Sequence, residues 1–269
     1  MEIDEFLTRI GVKESNPTIF RLEERATLNV DNLGNGNATE VLKGVKTYTN
    51  TEDKSVSVVG FLAYDKPFPE SVFAIPSEDL RNLLAESERI EIQESKLMGY
   101  GAMDFAFNLQ VLEKGKTIKL TYDNQPIPLD KDTVKKILRV ATVLGIKDTD
   151  STSSTFIDAD GTEIVITLSN KTGNKGKVTI KSDFPEIHSR FESRFVECLK
   201  LIGDHDAELN LDGYDPKREH KAHGLARIEM TDSNAIISYY IHEITQKVQE
   251  SKKAKKEKKE ESTESPPEE

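Results

Sequence analysis

The chain has 269 residues and a single cysteine. One thiol cannot close an internal disulfide, and Cys198 falls at an apolar position of a predicted helix, so it reads as a small core residue without redox chemistry. Long apolar runs are missing as well. Nothing approaches the roughly 20 apolar residues that cross a bilayer, and the first ten residues, MEIDEFLTRI, are acidic where a secretory signal is basic and then apolar. The expectation is a soluble protein of the cytoplasm that makes no membrane contact.

Enzyme signatures are equally scarce. DADG at 158–161 resembles the start of a calcium loop, but the later liganding positions do not follow, and a hairpin turn explains it better. His220 and His223 in EHKAHG have no second ligand pair near them in sequence, which favours a polar loop over a metal site. TGNKGK lacks the hydroxyl residue and spacing of a phosphate-binding loop, and LGNGN is not set between a strand and a helix. No cofactor, metal or catalytic set is implied.

What the sequence does contain is unevenly placed charge. The formal net charge is −11. From Glu250 onward six lysines face seven glutamates, so this Lys/Glu-rich end is nearly neutral and the acidity belongs to the rest. Residues 246–269 have nothing to bury and are expected to be a disordered tail. Against the acidic background, DTVKKILRVATVLG at 132–145 stands out. At helical spacing Val134, Ile137, Leu138, Ala141 and Leu144 share one side, and Lys135, Lys136, Arg139 and Thr142 the other. A second helix, expected over 187–202, would place Ile187, Phe191, Phe195, Cys198, Leu199 and Ile202 inward and Arg190, Arg194 and Lys200 on a basic outer face.

Two further helices are expected at 2–10 and 77–89. Between the four lie strands with period-two alternation, such as EIVITLS, GKVTIKS and the pair LARIEM and AIISYYI around TDSN. FRLEERATLNV, VLKGVKTYT and SVSVVGFLAY are read as strands too. Helix, three or four strands, helix, strands occurs once before about Glu113 and again from Asp130 to Ile244. That order predicts an α+β fold of two similar domains, 1–113 and 131–245, joined by an extended connector at 114–130 broken by Pro126 and Pro128.

With this layout, PIPLDKDTVKKILRVATVLG and LARIEMTDSNAIISYYIHEI resemble the first inner helix and closing hairpin of a second domain in the DNA sliding clamps, the PCNA family, and especially the clamps of tailed bacteriophages. SVFAIPSEDLRNLLAESERIEI carries the likeness into the first half. The resemblance implies a ring with sheets outside and helices inside, closed by three copies of a two-domain chain. It implies a processivity factor, not an enzyme, that encircles double-stranded DNA without regard to sequence and works with a DNA polymerase and a clamp loader, in the host cytoplasm if the source is viral. Lys135, Lys136, Arg139, Arg190, Arg194 and Lys200, with Arg9, Lys13 and Arg81, would then face DNA phosphates. Ile127, Pro128, Tyr240 and Ile241 would form a patch for partner peptides. The residues themselves leave two alternatives open: a monomeric clamp-like accessory factor of a polymerase, and a β-rich viral adaptor or structural protein.

Overall fold

The computed structural model describes residues 1–30, 36–111, 126–148, 152–212 and 224–243. The elements run α1 (Ile3–Ile10), β1 (Thr18–Val30), β2 (Gly36–Asn50), β3 (Val56–Ala63), β4 (Phe73–Ile75), α2 (Ser77–Glu86), β5 (Arg89–Gln93), β6 (Lys96–Tyr100), β7 (Phe105–Asn108) and β8 (Gln110–Val111). They continue as β9 (Ile127–Leu129), α3 (Lys131–Val143), β10 (Ser154–Ala159), β11 (Glu163–Ser169), β12 (Lys175–Lys181), β13 (Ile187–Glu192), α4 (Arg194–Ile202), β14 (Ala207–Asp212), β15 (Leu225–Asp232) and β16 (Ala235–His242). The α+β class and the repeated order of helices and strands are as expected from sequence.

Among the described residues every strand pairing is antiparallel, as suits short hairpin connections. One sheet has the order β8-β4-β1-β2-β3-β16-β15-β14-β9, a second β12-β11-β10-β13 and a third β5-β6-β7. The largest sheet crosses the repeat: β3 of the first half pairs with β16 of the second from Leu62↔Ala235 to Val56↔Ile241. Alternation sets its two faces. Ile237, Tyr239 and Ile241 of β16 are buried toward the helices, and Ile236, Ser238 and Tyr240 point the other way.

Among the described residues, the four helices lie on one face of the sheets in the order α2-α1-α4-α3, since α1 packs on both α2 and α4, and α3 on α4. Two of these helices show a local reason to form. In α3 the Asp130 carboxylate accepts from the Thr133 N–H at 2.6 Å, an N-cap that satisfies an otherwise unpaired donor. Val134, Ile137 and Ala141 are buried beneath it as the sequence pattern predicts. In α1, Asp4 and Glu5 stand in the first turn and Arg9 in the last, matching the helix dipole, while Phe6, Leu7 and Ile10 enter the core.

The expected helix over 187–202 is only half helical. Ile187–Glu192 forms β13, paired with β10 from Ala159↔Ile187 to Ser154↔Glu192, and α4 begins at Arg194. Residues 187–192 suit either period, and cross-strand pairing decided the outcome. Phe191 and Phe195, both expected on the inner face, do stack, with ring centroids 5.8 Å apart, but the contact joins a strand to a helix. Likewise the helix expected over 77–89 stops at Glu86, and Arg89 opens β5. Most of the connector at 114–130, the histidines at 220 and 223 and the tail at 246–269 lie outside the described residues.

Candidate nucleic-acid interface

On the helical face, cations are concentrated on α3. Lys131, Lys135 and Arg139 recur at four-residue spacing and so form a stripe, with Lys136 beside it, and all four are exposed. Lys131 belongs to this stripe although the sequence reading left it out; the spacing is the signal that could have found it. Lys135 reaches Asp204 at 3.1 Å, and this contact holds the Asp204 carboxyl below its ordinary range. Lys136 and Arg139 border an open groove of about 540 Å³ between α3 and β12, whose other walls include Val140, Val143, Lys175 and Lys177. Val143 is 80% exposed, unusual for an apolar side chain.

The remaining expected DNA contacts are occupied to different degrees. Lys13 and Lys200 both reach Asp148, Lys13 at 2.8 Å. Burial pushes the Asp148 carboxyl up, but the two lysines outweigh it and leave the group below its ordinary value. The same hydrogen bond raises Lys13. Arg81 lies near Asp4, Glu78 and the Thr8 hydroxyl.

Three arginines occupy places other than a phosphate-facing stripe. Arg9 donates to the backbone oxygens of Leu201 and Ile202, both at 2.6 Å, and to Glu5 at 2.7 Å, so it joins α1 to the C-terminal end of α4. Arg194 is buried and donates to Glu197 at 2.8 Å and Glu14 at 2.6 Å. It therefore does not lie on a solvated basic face as the sequence suggested; Ser189, Ser193 and Glu197 near it are buried as well. Arg190 lies on β13. Because Phe191 packs on α4, strand alternation turns Arg190 to the opposite face, where it covers the Phe156 ring at 5.2 Å and donates to the Ser154 hydroxyl at 2.9 Å. The acids Glu14, Asp148, Glu197 and Asp204 give these cations their partners and were not singled out from sequence.

The residues expected to receive a partner peptide divide in the same way. Ile127 and Ile241 are each 1% exposed and point into the core, which corrects their assignment to a surface patch. Pro128 is exposed and Tyr240 half-buried on the face away from the helices. There Tyr240 lies opposite Ser57 and Arg227, while Pro128 lies opposite Glu208. Among the described residues no helix is long and apolar enough to cross a membrane, and no group of three or more His, Cys, Asp or Glu is placed to hold a metal.

No protein-family model matches the sequence, and no curated protein matches it. Solved structures do match the fold. The proliferating cellular nuclear antigen of Entamoeba histolytica is similar over 90% of this chain and 96% of its own, with a TM-score of 0.58 and 13% identity. The DNA polymerase III subunit beta of Pseudomonas aeruginosa has a TM-score of 0.60 and 9% identity. The DNA polymerase sliding clamp of Bacillus subtilis has a TM-score of 0.58 and 11% identity. Each of these two bacterial proteins covers 90% of this chain, which spans only 62% of the bacterial protein. The chain has the sliding-clamp fold.

Proposed function

We propose that three copies of this chain close head to tail around duplex DNA and hold a DNA polymerase there as a non-catalytic processivity factor, after placement by a clamp loader. The observation that carries this reading is the repeat in the fold. Within one chain, the edge of β3 is completed by β16. The strands that correspond to β3 and β16 in the opposite halves, β12 and β7, have a partner on one side only among the described residues. They belong to the sheets at opposite ends of the helix row: β12 packs beside α3, and β7 is the edge of the sheet whose β6 packs on α2. A second copy adding its β7 to β12 repeats the internal junction and removes both open edges, a heterologous contact that ends when the ring closes. Three two-domain chains, divided as 1–113, 114–130 and 131–245, supply six such units.

In this ring the helices line the hole. Lys131 and Lys135 present long cations to phosphates without reading bases, which suits a protein that must slide. The acidic remainder of the chain discourages DNA from binding the outer wall. A polymerase peptide docks on that wall near Pro128 and Tyr240, so that dissociation of the polymerase from the primer end is followed by rebinding at high effective concentration. Topology gives the test. Protein loaded on nicked circular duplex should stay bound through a high-salt wash and leave when the circle is cut. Release at the same rate from circular and linear DNA, with the mass of one chain in solution, would instead favour a monomeric accessory factor.

A further inference from the structure

The internal junction is a template for the contact between copies. Residues 7–14, LTRIGVKE, and 141–148, ATVLGIKD, align without a gap. The structure supports this register: the Thr8 hydroxyl donates to the Asp4 backbone oxygen and the Thr142 hydroxyl to that of Leu138, both at 2.9 Å. Glu5 therefore corresponds to Arg139, and Arg9 to Val143.

At the internal junction, Glu5 lies 3.4 Å from His205, which sits in the segment between α4 and β14. A carboxylate on α1 thus meets an imidazole just beyond α4. At the open ends the acid stands on the other side. Arg139 takes the place of Glu5, with Lys136 beside it on the groove wall. The matching segment of the opposite end, from the last residue of α2 to the start of β5, carries Glu86 and Glu88, both exposed. Among the described residues, none of Lys136, Arg139, Glu86 and Glu88 forms an ion pair.

Resting on the ring reading, we infer that Lys136 and Arg139 recognise Glu86 and Glu88 of the next copy, so the cations of α3 are divided between DNA and the copy-to-copy junction. The exposed Val143 closes against the same neighbour in the position where Arg9 crosses the internal junction. This arrangement gives assembly a direction. An α3 end meeting an α2 end pairs opposite charges, whereas two α3 ends would set cation against cation and block a two-fold dimer. Salt weakens the contact by screening these rim charges.

The test is sedimentation of the full chain across a concentration series at low and high salt, with Arg139→Glu, with Glu86→Arg/Glu88→Arg, and with all three changes together. Each charge reversal should weaken association at low salt by about tenfold or more, a fold-change typical of close interfacial charge pairs. The combined variant should recover most of the loss, which a folding defect could not do. Assembly of the Arg139→Glu variant with parental affinity would overturn this inference and leave the ring intact. Failure of the combined variant to recover would also overturn it. A parent chain that stays monomeric at every concentration would remove the ring reading itself, and the pairing with it.

Discussion

Arg194 and Glu197 form an ion pair at 2.8 Å in which each side chain is no more than 5% exposed. The pair does not stand alone. Glu197 also accepts the Lys13 N–H at 2.6 Å, and Arg194 donates to the Lys13 oxygen at 3.2 Å and to Glu14. The start of α4 is thereby fastened to the segment after α1, in the other half of the repeat. Arg194→Met should cost about 3 to 5 kcal/mol, because it leaves the Glu197 carboxylate buried without its cation. Arg194→Met/Glu197→Gln should recover much of that, since the uncompensated charge is gone. Denaturant unfolding measures both, and equal losses in the single and double variants would contradict this account.

How far the sequence could be read follows from where each partner lies. The apolar and basic sides of α3 were legible because they depend on residues three and four apart, and the Asp130 cap is equally local. The strands around TDSN were legible for the same reason. Residues 187–192 were not, because their pairing partners at 154–159 lie some thirty residues back and the segment has apolar residues at both spacings. Arg9 and Arg194 looked like solvated cations because, besides the local acids Glu5 and Glu197, they are held by groups 192 and 180 positions away. Lys13 and Lys200 share the same difficulty, being held by an aspartate remote from both.

That aspartate gives a pH prediction. Asp148 is pushed up by burial and more than compensated by hydrogen bonds from Lys13 and Lys200, so its folded pKa lies below its ordinary value of 3.8. A depressed folded pKa contributes stability that is present above the ordinary value and lost as pH falls through the folded one. Asp148→Asn should therefore lower stability at neutral pH and make the remaining stability fall less steeply below about pH 4. Unfolding free energies of both proteins across the acid range give the comparison. Parallel curves would mean that Asp148 contributes no linked proton.

The partner surface gives a prediction that separates docking from packing. Tyr240 is half-buried on the outer face, so Tyr240→Ala should weaken binding of a polymerase peptide by about 1 to 3 kcal/mol with a small change in stability. Ile241, its neighbour in sequence, is buried in the core, so Ile241→Ala should instead destabilise the fold by about 2 to 5 kcal/mol. Calorimetric titration and thermal unfolding of the two variants read these effects apart. A stable Ile241→Ala protein that has lost peptide binding would reverse the assignment.

Asp204 offers a way to strengthen the proposed DNA contact rather than break it. It lies just beyond α4 and holds the Lys135 ammonium at 3.1 Å, with both groups largely exposed. A lysine held by a carboxylate is a poorer phosphate partner, because binding DNA must first displace the acid, whose own charge also repels the backbone. Asp204→Asn removes that competitor and leaves the helix stripe of Lys131, Lys135 and Arg139 unchanged. Association with duplex DNA should tighten at moderate salt, and the slope of log K against log salt should steepen by roughly one unit for each Lys135 that engages a phosphate. Lys135→Gln in the Asp204→Asn background should abolish the gain, which ties the effect to this cation rather than to the general loss of an acidic residue. If Asp204→Asn tightens DNA binding equally with and without Lys135, the aspartate acts only through the overall field of the protein, and Lys135 is not part of the DNA interface.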